Sequence, residues 1–502
     1  MLLQDDSEPF GRRQNITHES PTGLKKEAGL LQVVAYGIGN IIGAGIYVLV
    51  GDASGLAGNT VWLSFLVGAI VALFTGLTYA ELASIYPRAA SEYVYLGKAY
   101  GNRIFAFITE WMMLITEVVA AAAVAIGFAG YLSNATGVPI LPVAATLLVV
   151  LTIIALFGVK ASLSLNTVLS FVALAGLVVV IFAGIGRLGT VPYTSSPNGI
   201  PGILGASALV FFAYIGFDNM ANLSEETKKP EKTIPRGILI AVAISTVLYV
   251  AVGLAAVSLV PWQQLSVSDA PLALAASVTL GPTAYDVLTV AALLTTLNTV
   301  LVLLIVSSRI IYGMAEEGAL PKLLRKVSGK TRVPFVASIT VLLIALAILP
   351  LGTVDAVAKV TSFGSLLTFA LVNLALLHLR RVAPHLSRPF RAPLNIGWIS
   401  VTALLGLLSC LVLLSQFDPV SMTLGLVLPV TGMMIYFVIA RRGPPNARPS
   451  MHEPHEVRRN WQSDVICTAP NLLPTPTLAK LRPPQFTGDL TGAPGLHQSK
   501  TE

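Results

Sequence analysis

Long apolar runs recur along most of the chain, and short polar segments separate them. A helix that crosses the roughly 30 Å hydrocarbon core of a bilayer needs roughly 20 apolar residues. Twelve runs approach that length, so the pattern predicts twelve transmembrane helices in an all-α integral membrane protein. The runs lie at 30–51, 60–83, 103–133, 139–159, 163–186, 203–223, 236–259, 284–312, 334–351, 355–379, 397–416 and 420–440. Only Gly352, Thr353 and Val354 separate the ninth run from the tenth.

Lys and Arg are concentrated in every second loop. The alternate loops contain Arg187 and no other Lys or Arg, and Lys359 lies inside the tenth run. Because positively charged loops face the cytoplasm, the pattern predicts an even number of spans in the plasma membrane, with both termini cytoplasmic. The basic loops contain Lys25, Lys26, Arg88, Lys98, Arg103, Lys160, Lys228, Lys229, Lys232, Arg236, Lys322, Arg325, Lys326, Lys330, Arg332, Arg380, Arg381, Arg388 and Arg391, and Arg441 and Arg442 follow the last run.

Both ends of the chain lack such runs. Residues 1–27 and 443–502 are predicted to be cytoplasmic tails on either side of a twelve-helix membrane domain, 28–442. The C-terminal tail contains ten of the 31 prolines and few aromatic residues, so it cannot bury enough apolar surface to fold alone. We expect it to be disordered and solvated, and a regulatory or partner-binding role stays open.

Composition excludes several classes of protein. Hydrophobic residues make up 54% of the chain and charged residues 11%, against roughly 25% charged in soluble domains. A soluble enzyme, a disordered scaffold and a nucleic-acid-binding protein are therefore excluded, and the lipid bilayer is the expected surrounding. The net charge of +7 reflects the basic loops. Cys410 lies in an apolar run and Cys467 in the tail, so no disulfide is expected.

The first and sixth spans contain residues that interrupt helices. The first includes four glycines within nine residues, at 37, 39, 43 and 45, and each glycine costs a helix roughly 1 kcal/mol relative to alanine. The sixth places Gly216 and Asp218 inside the apolar segment 211–219. For the first span alone, close helix packing through Gly39 and Gly43 is an alternative.

The two unusual spans begin successive five-span units. Five spans reverse the direction of the chain, so the units have inverted topology, and interrupted helices at corresponding places in inverted repeats indicate a midplane binding site. An interrupted helix exposes N–H groups with partial positive charge and C=O groups with partial negative charge. An amino-acid zwitterion matches both groups.

Four segments carry a resemblance to a known family. GIGNIIGAGIY (37–47), YAELASIYPRAASEYVYLGKAYG (79–101), FFAYIGFDNMANLSEETKKPEKTIPRGI (211–238) and SRIIYGMAEEGALP (308–321) resemble signature segments of the amino acid–polyamine–organocation (APC) superfamily. The resemblance implies a leucine-transporter-like fold with two inverted five-helix repeats, 28–186 and 203–380, plus peripheral helices at 397–440. It also implies secondary transport of amino acids by alternating access. Transport of amines or polyamines and amino-acid exchange are alternatives.

The resemblance also implies roles for residues in both interrupted spans. Phe212 and Tyr214 match aromatic positions that wall or gate the pocket. Carbonyl groups implied to take the substrate α-ammonium are those of Ile41, Phe212 and Ile215. Backbone amides implied to hold the substrate carboxylate are those of Gly43, Ala44, Gly45 and Ile46.

Acidic residues inside the spans are candidates for coupling or gating, because a charge at the bilayer centre is costly. Glu117 is interpreted as handling substrate charge or a proton, with a structural hydrogen-bonding role as the alternative. Asp218 is either an acid tied to proton sensitivity or an N-cap of the second half-helix. Glu110 is expected to be wet or salt-bridged.

Further charges lie near the cytoplasmic ends of spans. We expect Glu81, Glu225 and Glu226 to form an inner network there, with Arg88 and Arg236 as partners. Ordinary surface charge is the alternative for each pair.

The eighth span offers hydroxyl and amide groups at Thr295, Thr296, Asn298 and Thr299. Oxygen ligands suit a hard cation such as sodium, although threonines also bond to their own helix. Some relatives place a lysine in the fifth span, and 164–185 has none here, which disfavours lysine-based proton coupling. Proton, sodium and plain exchange stay open, and no metal site is certain.

Three other interpretations are disfavoured. A channel is disfavoured because no repeated filter-like segment occurs. A membrane enzyme is disfavoured because the membrane region contains no His pair, Cys cluster, phosphate-binding loop or Gly-x-Ser-x-Gly elbow, and no cofactor is expected. A transporter of two six-helix halves is disfavoured by the short loop between the sixth and seventh spans.

Overall fold

The computed structural model describes residues 28–268, 270–351 and 354–441, and this part of the chain is helical almost throughout. The two predicted tails, 1–27 and 443–502, lie outside the described residues, as do Asp269, Gly352 and Thr353. Cys410 is buried and has a free thiol, and Cys467 falls in the tail.

Each of the first five apolar runs forms one or two helices. The first run is divided at 42–43, and a short helix that the apolar pattern did not predict lies between the second and third runs. The helices are α1 Leu30–Ile41, α2 Ala44–Ala57, α3 Val61–Ile85, α4 Ser91–Tyr100, α5 Arg103–Thr136, α6 Ile140–Leu156 and α7 Val159–Ile185.

The second half of the chain is likewise helical. A 3-10 helix, Phe211–Tyr214, continues the first helix of this half, and a two-stranded antiparallel hairpin, β1 Asn395–Ile396 and β2 Ile399–Ser400, precedes the last two helices. The helices are α8 Gly199–Val210, α9 Asn219–Asn222, α10 Pro230–Leu259, α11 Trp262–Leu265, α12 Pro271–Leu280, α13 Pro282–Glu316, α14 Phe335–Ile348, α15 Val354–Val382, α16 Val401–Leu414 and α17 Pro419–Arg441. Further 3-10 helices are Gly58–Thr60, Ser224–Glu226, Lys322–Arg325 and Leu349–Leu351.

Within the described residues, eight helical segments are long and apolar enough to cross a membrane by length and composition. Four shorter apolar helices accompany them: Ile140–Leu156, Pro271–Leu280, Phe335–Ile348 and Val401–Leu414. The chain is therefore a helical membrane protein, and the count of twelve spans stays a prediction.

The outer faces of the helices carry exposed apolar side chains. Phe171 on α7, Phe182 on α7 and Val247 on α10 are 66%, 69% and 70% exposed. A soluble monomer rarely exposes apolar surface on this scale, so these faces fit a lipid surrounding. Inside, α3 packs along α10, and α5 packs along α13 and α15, which encloses α1, α2 and the 3-10 helix that follows α8.

Candidate functional site

The first interruption lies at 42–43, between α1 and α2. Ile42 has φ −80° and ψ 73°, and Gly43 has φ −110° and ψ −158°, so neither residue is helical. The Gly43 N–H turns back to the Ile41 carbonyl at 2.9 Å. Gly43 has no side chain to cap α2, and the Ala44 N–H instead donates to Thr299 Oγ1 at 3.0 Å.

The second interruption lies at 215–218, between the 3-10 helix Phe211–Tyr214 and α9. Ile215 is extended, with φ −60° and ψ 137°. Gly216 has φ +125°, a conformation that side-chain-bearing residues rarely adopt. Its N–H donates to Asp218 Oδ1 at 2.9 Å. Asp218 thus stands at the N-terminal cap position of α9, but its side chain caps no N–H of that helix.

The two interruptions face each other in direct contact. A Cβ atom added to Gly216 would lie 2.9 Å from Asn40 Cβ, and one added to Gly45 would lie 2.8 Å from Ala213 Cα. Real Cβ atoms essentially never come so close. The glycines at 45 and 216 are therefore required by the approach of one backbone to the other.

Tyr249 on α10 joins the two interruptions. Its hydroxyl lies 2.5 Å from the Ile41 carbonyl oxygen and 3.0 Å from the Ala213 carbonyl oxygen. A hydroxyl has a single proton to donate, so the closer Ile41 carbonyl is its main acceptor. Tyr249 did not emerge from the sequence, where it is one tyrosine in an apolar run.

The residues assigned to the substrate from resemblance lie around this contact. Ile41, Ala44, Ile46 and Tyr214 are buried, Ile215 is 9% exposed, and Phe212 is half-buried. Two of the three carbonyls assigned to the ammonium already accept a bond within the chain. The Ile41 carbonyl accepts from Tyr249, and the Phe212 carbonyl accepts from the Ile215 N–H at 3.3 Å. The Tyr214 hydroxyl donates to the Phe65 carbonyl at 3.0 Å.

The polar residues of the eighth span separate into two groups. Thr295 and Thr296 donate to the carbonyls of Ala291 and Ala292 on their own helix, each at 2.7 Å, as the back-bonding alternative expects. Thr299 also donates to its own helix, to the Thr295 carbonyl at 3.1 Å, but its oxygen accepts from the Ala44 N–H of α2 as well, and Asn298 reaches α1. Asn298 Nδ2 donates to the Gly39 carbonyl at 3.2 Å.

Asn298 also belongs to a buried amide network with α7. Its Oδ1 accepts from Asn166 Nδ2 at 3.3 Å, and its Nδ2 lies 3.4 Å from Ser170 Oγ. Asn166 was missed from sequence because a single asparagine in an apolar helix gives no periodic signal. The Gly39 carbonyl therefore accepts an N–H from the eighth span.

Glu117 on α5 is buried next to the second interruption. Its Oε1 accepts from Asn219 Nδ2 at 3.3 Å, while its Oε2 has no hydrogen-bond partner within the described part of the chain. Asp218 Oδ2 is likewise unpartnered there. Asn219, the residue that connects Glu117 to the interruption, was not singled out from the sequence.

The expectation for Glu110 was wrong. Its side chain is fully buried, and its Oε2 accepts from the Tyr93 N–H of α4 at 2.6 Å. No ion pair to Glu110 occurs among the described residues. The sequence placed Glu110 near a helix end, but α4 folds over that end of α5 and shields the carboxylate from solvent.

The partners expected for Glu81 and Glu226 were also wrong. Glu226 pairs with Arg309 on α13, through N–O distances of 2.9 Å and 3.0 Å. Glu81 on α3 pairs with Arg380 at the end of α15 and with Arg388 at 3.3 Å. Arg309, Arg380 and Arg388 come from distant segments, so only the tertiary fold brings them to these acids.

A short backbone pairing ties the start of the first span to the segment that follows the sixth. The Ala28 N–H donates to the Glu226 carbonyl at 3.0 Å, and the Lys228 N–H donates to the Ala28 carbonyl at 2.8 Å. Glu225 accepts from the Ala89 N–H at 3.2 Å through Oε1. The two interrupted spans are therefore joined both at their centres and at one end.

Known proteins match this chain over almost the whole helical region. A family model for amino acid permeases matches residues 29–440. The chain is 32% identical over 443 residues to the branched-chain amino acid permease BcaP of Bacillus subtilis, covering 84% of this chain and 94% of that protein. It is 29% identical over 441 residues to the methylthioribose transporter of Bacillus subtilis, covering 84% and 94%. It is 32% identical over 395 residues to the vacuolar cationic amino acid transporter 4 of Arabidopsis thaliana, covering 74% and 66%.

Proposed function

The chain belongs to the amino acid permease family, and on that premise we propose that it is a secondary transporter that moves amino acids across the plasma membrane by alternating access. Membership confirms the APC resemblance drawn from the four motifs. The relatives named above are permeases and transporters, which indicates a transporter rather than an enzyme.

The observation that carries this proposal is the contact between the two interruptions. The start of α2 has N–H groups that Gly43 cannot cap, and the ends of α1 and of the 3-10 helix Phe211–Tyr214 present carbonyl groups. A substrate between them finds donors for its carboxylate and acceptors for its ammonium. In this proposal Gly43, Ala44, Gly45 and Ile46 hold the carboxylate, which replaces the Ile41 carbonyl and Thr299 Oγ1 as acceptors of the Gly43 and Ala44 N–H groups. The carbonyls of Ile41, Phe212 and Ile215 take the ammonium, and Phe212 and Tyr214 form the aromatic wall.

The order of elements supports two inverted repeats in a leucine-transporter-like fold of twelve spans. Each unit begins with an interrupted span and continues with a long helix, α3 in the first unit and α10 in the second. Each then has a ten-residue helix before its third long helix: α4 precedes α5, and α12 precedes α13. Because five spans reverse the chain direction, α4 and α12 would lie at opposite membrane faces in this proposal. With twelve spans and the basic loops in the cytoplasm, both termini would be cytoplasmic.

Proton coupling is the form of coupling that the side chains favour. Glu117 and Asp218 each retain an unpartnered carboxylate oxygen and are 1% and 0% exposed. The hydroxyls of Thr295 and Thr296 are used within their own helix, and the Asn298 amide donates to the Gly39 carbonyl. These contacts leave fewer oxygen ligands for sodium between α1 and α13 than the sequence suggested, so Thr299 remains as a positioning residue for α2.

The test is uptake by purified protein in liposomes. Labelled amino acids are supplied with and without sodium and with an imposed pH gradient, and protein-free liposomes set the background. We expect saturable uptake that a proton gradient accelerates and that sodium leaves unchanged. Absence of saturable uptake for every amino acid and amine in the panel would contradict the proposed function. Sodium dependence would contradict only the proposed proton coupling. If Glu117 carries that coupling, Glu117→Gln should remove the response of uptake to the pH gradient.

A further inference from the structure

Four hydroxyl side chains on α15 form a buried polar face. Thr361, Ser362, Ser365 and Thr368 are at most 2% exposed. None of their hydroxyl oxygens has a hydrogen-bond partner within the described part of the chain. We call this set the α15 hydroxyl face.

Several other buried hydroxyls of this protein behave differently, although those of Ser245, Tyr36 and Tyr95 are also unpartnered among the described residues. Thr152 donates to the Leu148 carbonyl at 2.8 Å, Ser307 to the Leu303 carbonyl at 2.8 Å, and Thr295 to the Ala291 carbonyl at 2.7 Å. Each of these hydroxyls therefore finds its hydrogen-bond acceptor on its own helix. A buried hydroxyl without a partner is costly, so four on a single helix face indicate a partner that arrives from outside the chain.

The direction of the α15 hydroxyl face follows from its neighbours. On one side, a Cβ atom added to Gly364 would lie 2.7 Å from Thr116 Oγ1 on α5. On the other side, the Phe369 ring contacts Phe211 and Phe217 of the sixth span, with ring centroids 6.0 Å and 5.2 Å apart. Successive helix residues are about 100° apart.

That rotation places Thr361, Ser365 and Thr368 between the direction of Gly364 and the direction of Phe369. The face is thus turned toward the space between α5 and the second interruption. Across this space Thr116 is 1% exposed, and its hydroxyl is also unpartnered among the described residues. Five unpartnered hydroxyls from two helices therefore border the region beside the proposed substrate site.

We propose that the α15 hydroxyl face, with Thr116 opposite, is the subsite that receives the substrate side chain, and that it selects amino acids whose side chains form hydrogen bonds. This inference rests on the proposed function and specifies its substrate class. A hydroxyl both donates and accepts, so hydroxyl, amide and amino groups all satisfy the face. A branched aliphatic side chain would leave all five hydroxyls without partners.

A metal ion is a poorer occupant than a polar side chain. No group of three or more His, Cys, Asp or Glu side chains that could hold a metal occurs among the described residues. The hydroxyls of the face are neutral and carry protons of their own, which a substrate amide or hydroxyl can accept. Glu117 and Asp218 keep their separate proposed roles in coupling.

The experiment measures substrate preference in proteoliposomes by competition against one labelled amino acid. Competitors represent hydroxyl and amide side chains (serine, threonine, asparagine, glutamine), cationic side chains (lysine, arginine) and aliphatic side chains (valine, leucine). The variants are Ser365→Ala, Thr368→Val and the double substitution, and Thr152→Val on α6 is the control for removing a buried, self-satisfied hydroxyl.

We expect the wild type to prefer either the hydroxyl and amide competitors or the cationic competitors to the aliphatic ones. Which of these two groups competes better shows whether the substrate side chain is neutral or cationic. The double variant should raise the half-saturating concentration of the best polar substrate about tenfold, the effect of losing roughly one hydrogen bond. Its half-saturating concentration for valine and leucine should stay the same or fall. Thr152→Val should leave the ranking unchanged.

Two results would overturn the inference while the proposed function stands. One is a wild type that prefers valine or leucine to every polar competitor. The other is a double variant with the wild-type ranking, which would mean that water alone satisfies the hydroxyls. A wild type that takes up no amino acid would overturn both proposals. Thermal unfolding in detergent shows whether each variant is folded. If the double variant is unstable, the competition measurement is repeated with Ser362→Ala.

Discussion

The Tyr249 hydroxyl lies 2.5 Å from the Ile41 carbonyl oxygen at the end of α1. The same hydroxyl is 3.0 Å from the Ala213 carbonyl oxygen, so one side chain of α10 contacts both interrupted spans. An unpaired carbonyl is costly inside a membrane protein. Tyr249 therefore stabilises the irregular backbone, and the Ile41 carbonyl accepts from both Tyr249 and the Gly43 N–H, so a substrate ammonium would replace one of these two donors.

Tyr249→Phe removes this link and keeps the ring. The ring still packs against Phe65 and Tyr214, with centroids 5.6 Å and 5.1 Å apart. We expect the free energy of unfolding to fall by about 0.5–1.5 kcal/mol, because the Ile41 carbonyl loses one donor and keeps the Gly43 N–H as the other. Uptake should fall roughly tenfold, since that carbonyl is a proposed ammonium acceptor. Tyr193→Phe, whose hydroxyl bonds Ser258 at 2.6 Å, is the matched control, and equal effects in both variants would refute the role of Tyr249.

Gly45→Ala tests the contact between the interruptions. The new methyl group would lie 2.8 Å from Ala213 Cα and 2.9 Å from Ala213 Cβ. Overpacking of this kind costs about 1–3 kcal/mol, and we expect uptake to be lost because the two spans can no longer approach. Uptake would be lost because the two backbones are pushed apart, and not because the new methyl group contacts the substrate.

Gly205→Ala on α8 is the control for that variant, since a Cβ atom there meets nothing within 4 Å. It should keep uptake and raise stability by up to about 1 kcal/mol, because alanine favours a helix over glycine. Uptake and thermal unfolding are measured side by side. Wild-type uptake by Gly45→Ala would show that the close approach is dispensable.

Thr299→Val tests how α2 is positioned. The Thr299 oxygen accepts from the Ala44 N–H at 3.0 Å, and valine preserves the shape without the acceptor. We expect the half-saturating substrate concentration to rise roughly tenfold, because the first turn of α2 loses its link to α13. Thr296→Val, three residues earlier, removes a hydroxyl that donates to the Ala292 carbonyl of its own helix and should be nearly neutral. The prediction fails if the two valine variants have the same uptake kinetics.

The Arg309–Glu226 pair is suited to a double-mutant cycle. The two side chains are 6% and 2% exposed, so removing either partner leaves a buried charge that costs about 3–5 kcal/mol. Arg309→Leu and Glu226→Gln should each lower the unfolding temperature strongly. The double variant should be more stable than either single variant, because no unpaired charge remains. Simple addition of the two single effects would show that the ions do not stabilise each other.

Much of the architecture could be predicted from the sequence because membrane-spanning helices need long apolar runs. The runs at 30–51 and 203–223 also contain the glycines whose costs predict interruption. The helices α4 and α12 could not be found in this way, since ten residues are too few for a span. The candidate site was predicted only as far as its backbone: Gly43, Gly45 and Gly216 mark where a helix ends, but they do not show what lies opposite.

The sequence by itself determined that the protein is a helical membrane protein of this family, because apolar run length and local motifs are properties of neighbouring residues. Only the tertiary structure decided the pairings between residues far apart in the chain. Tyr249 with Ile41, Arg309 with Glu226 and Asn298 with Gly39 are separated by 208, 83 and 259 positions. No local pattern encodes such contacts, since they depend on how the helices pack against one another.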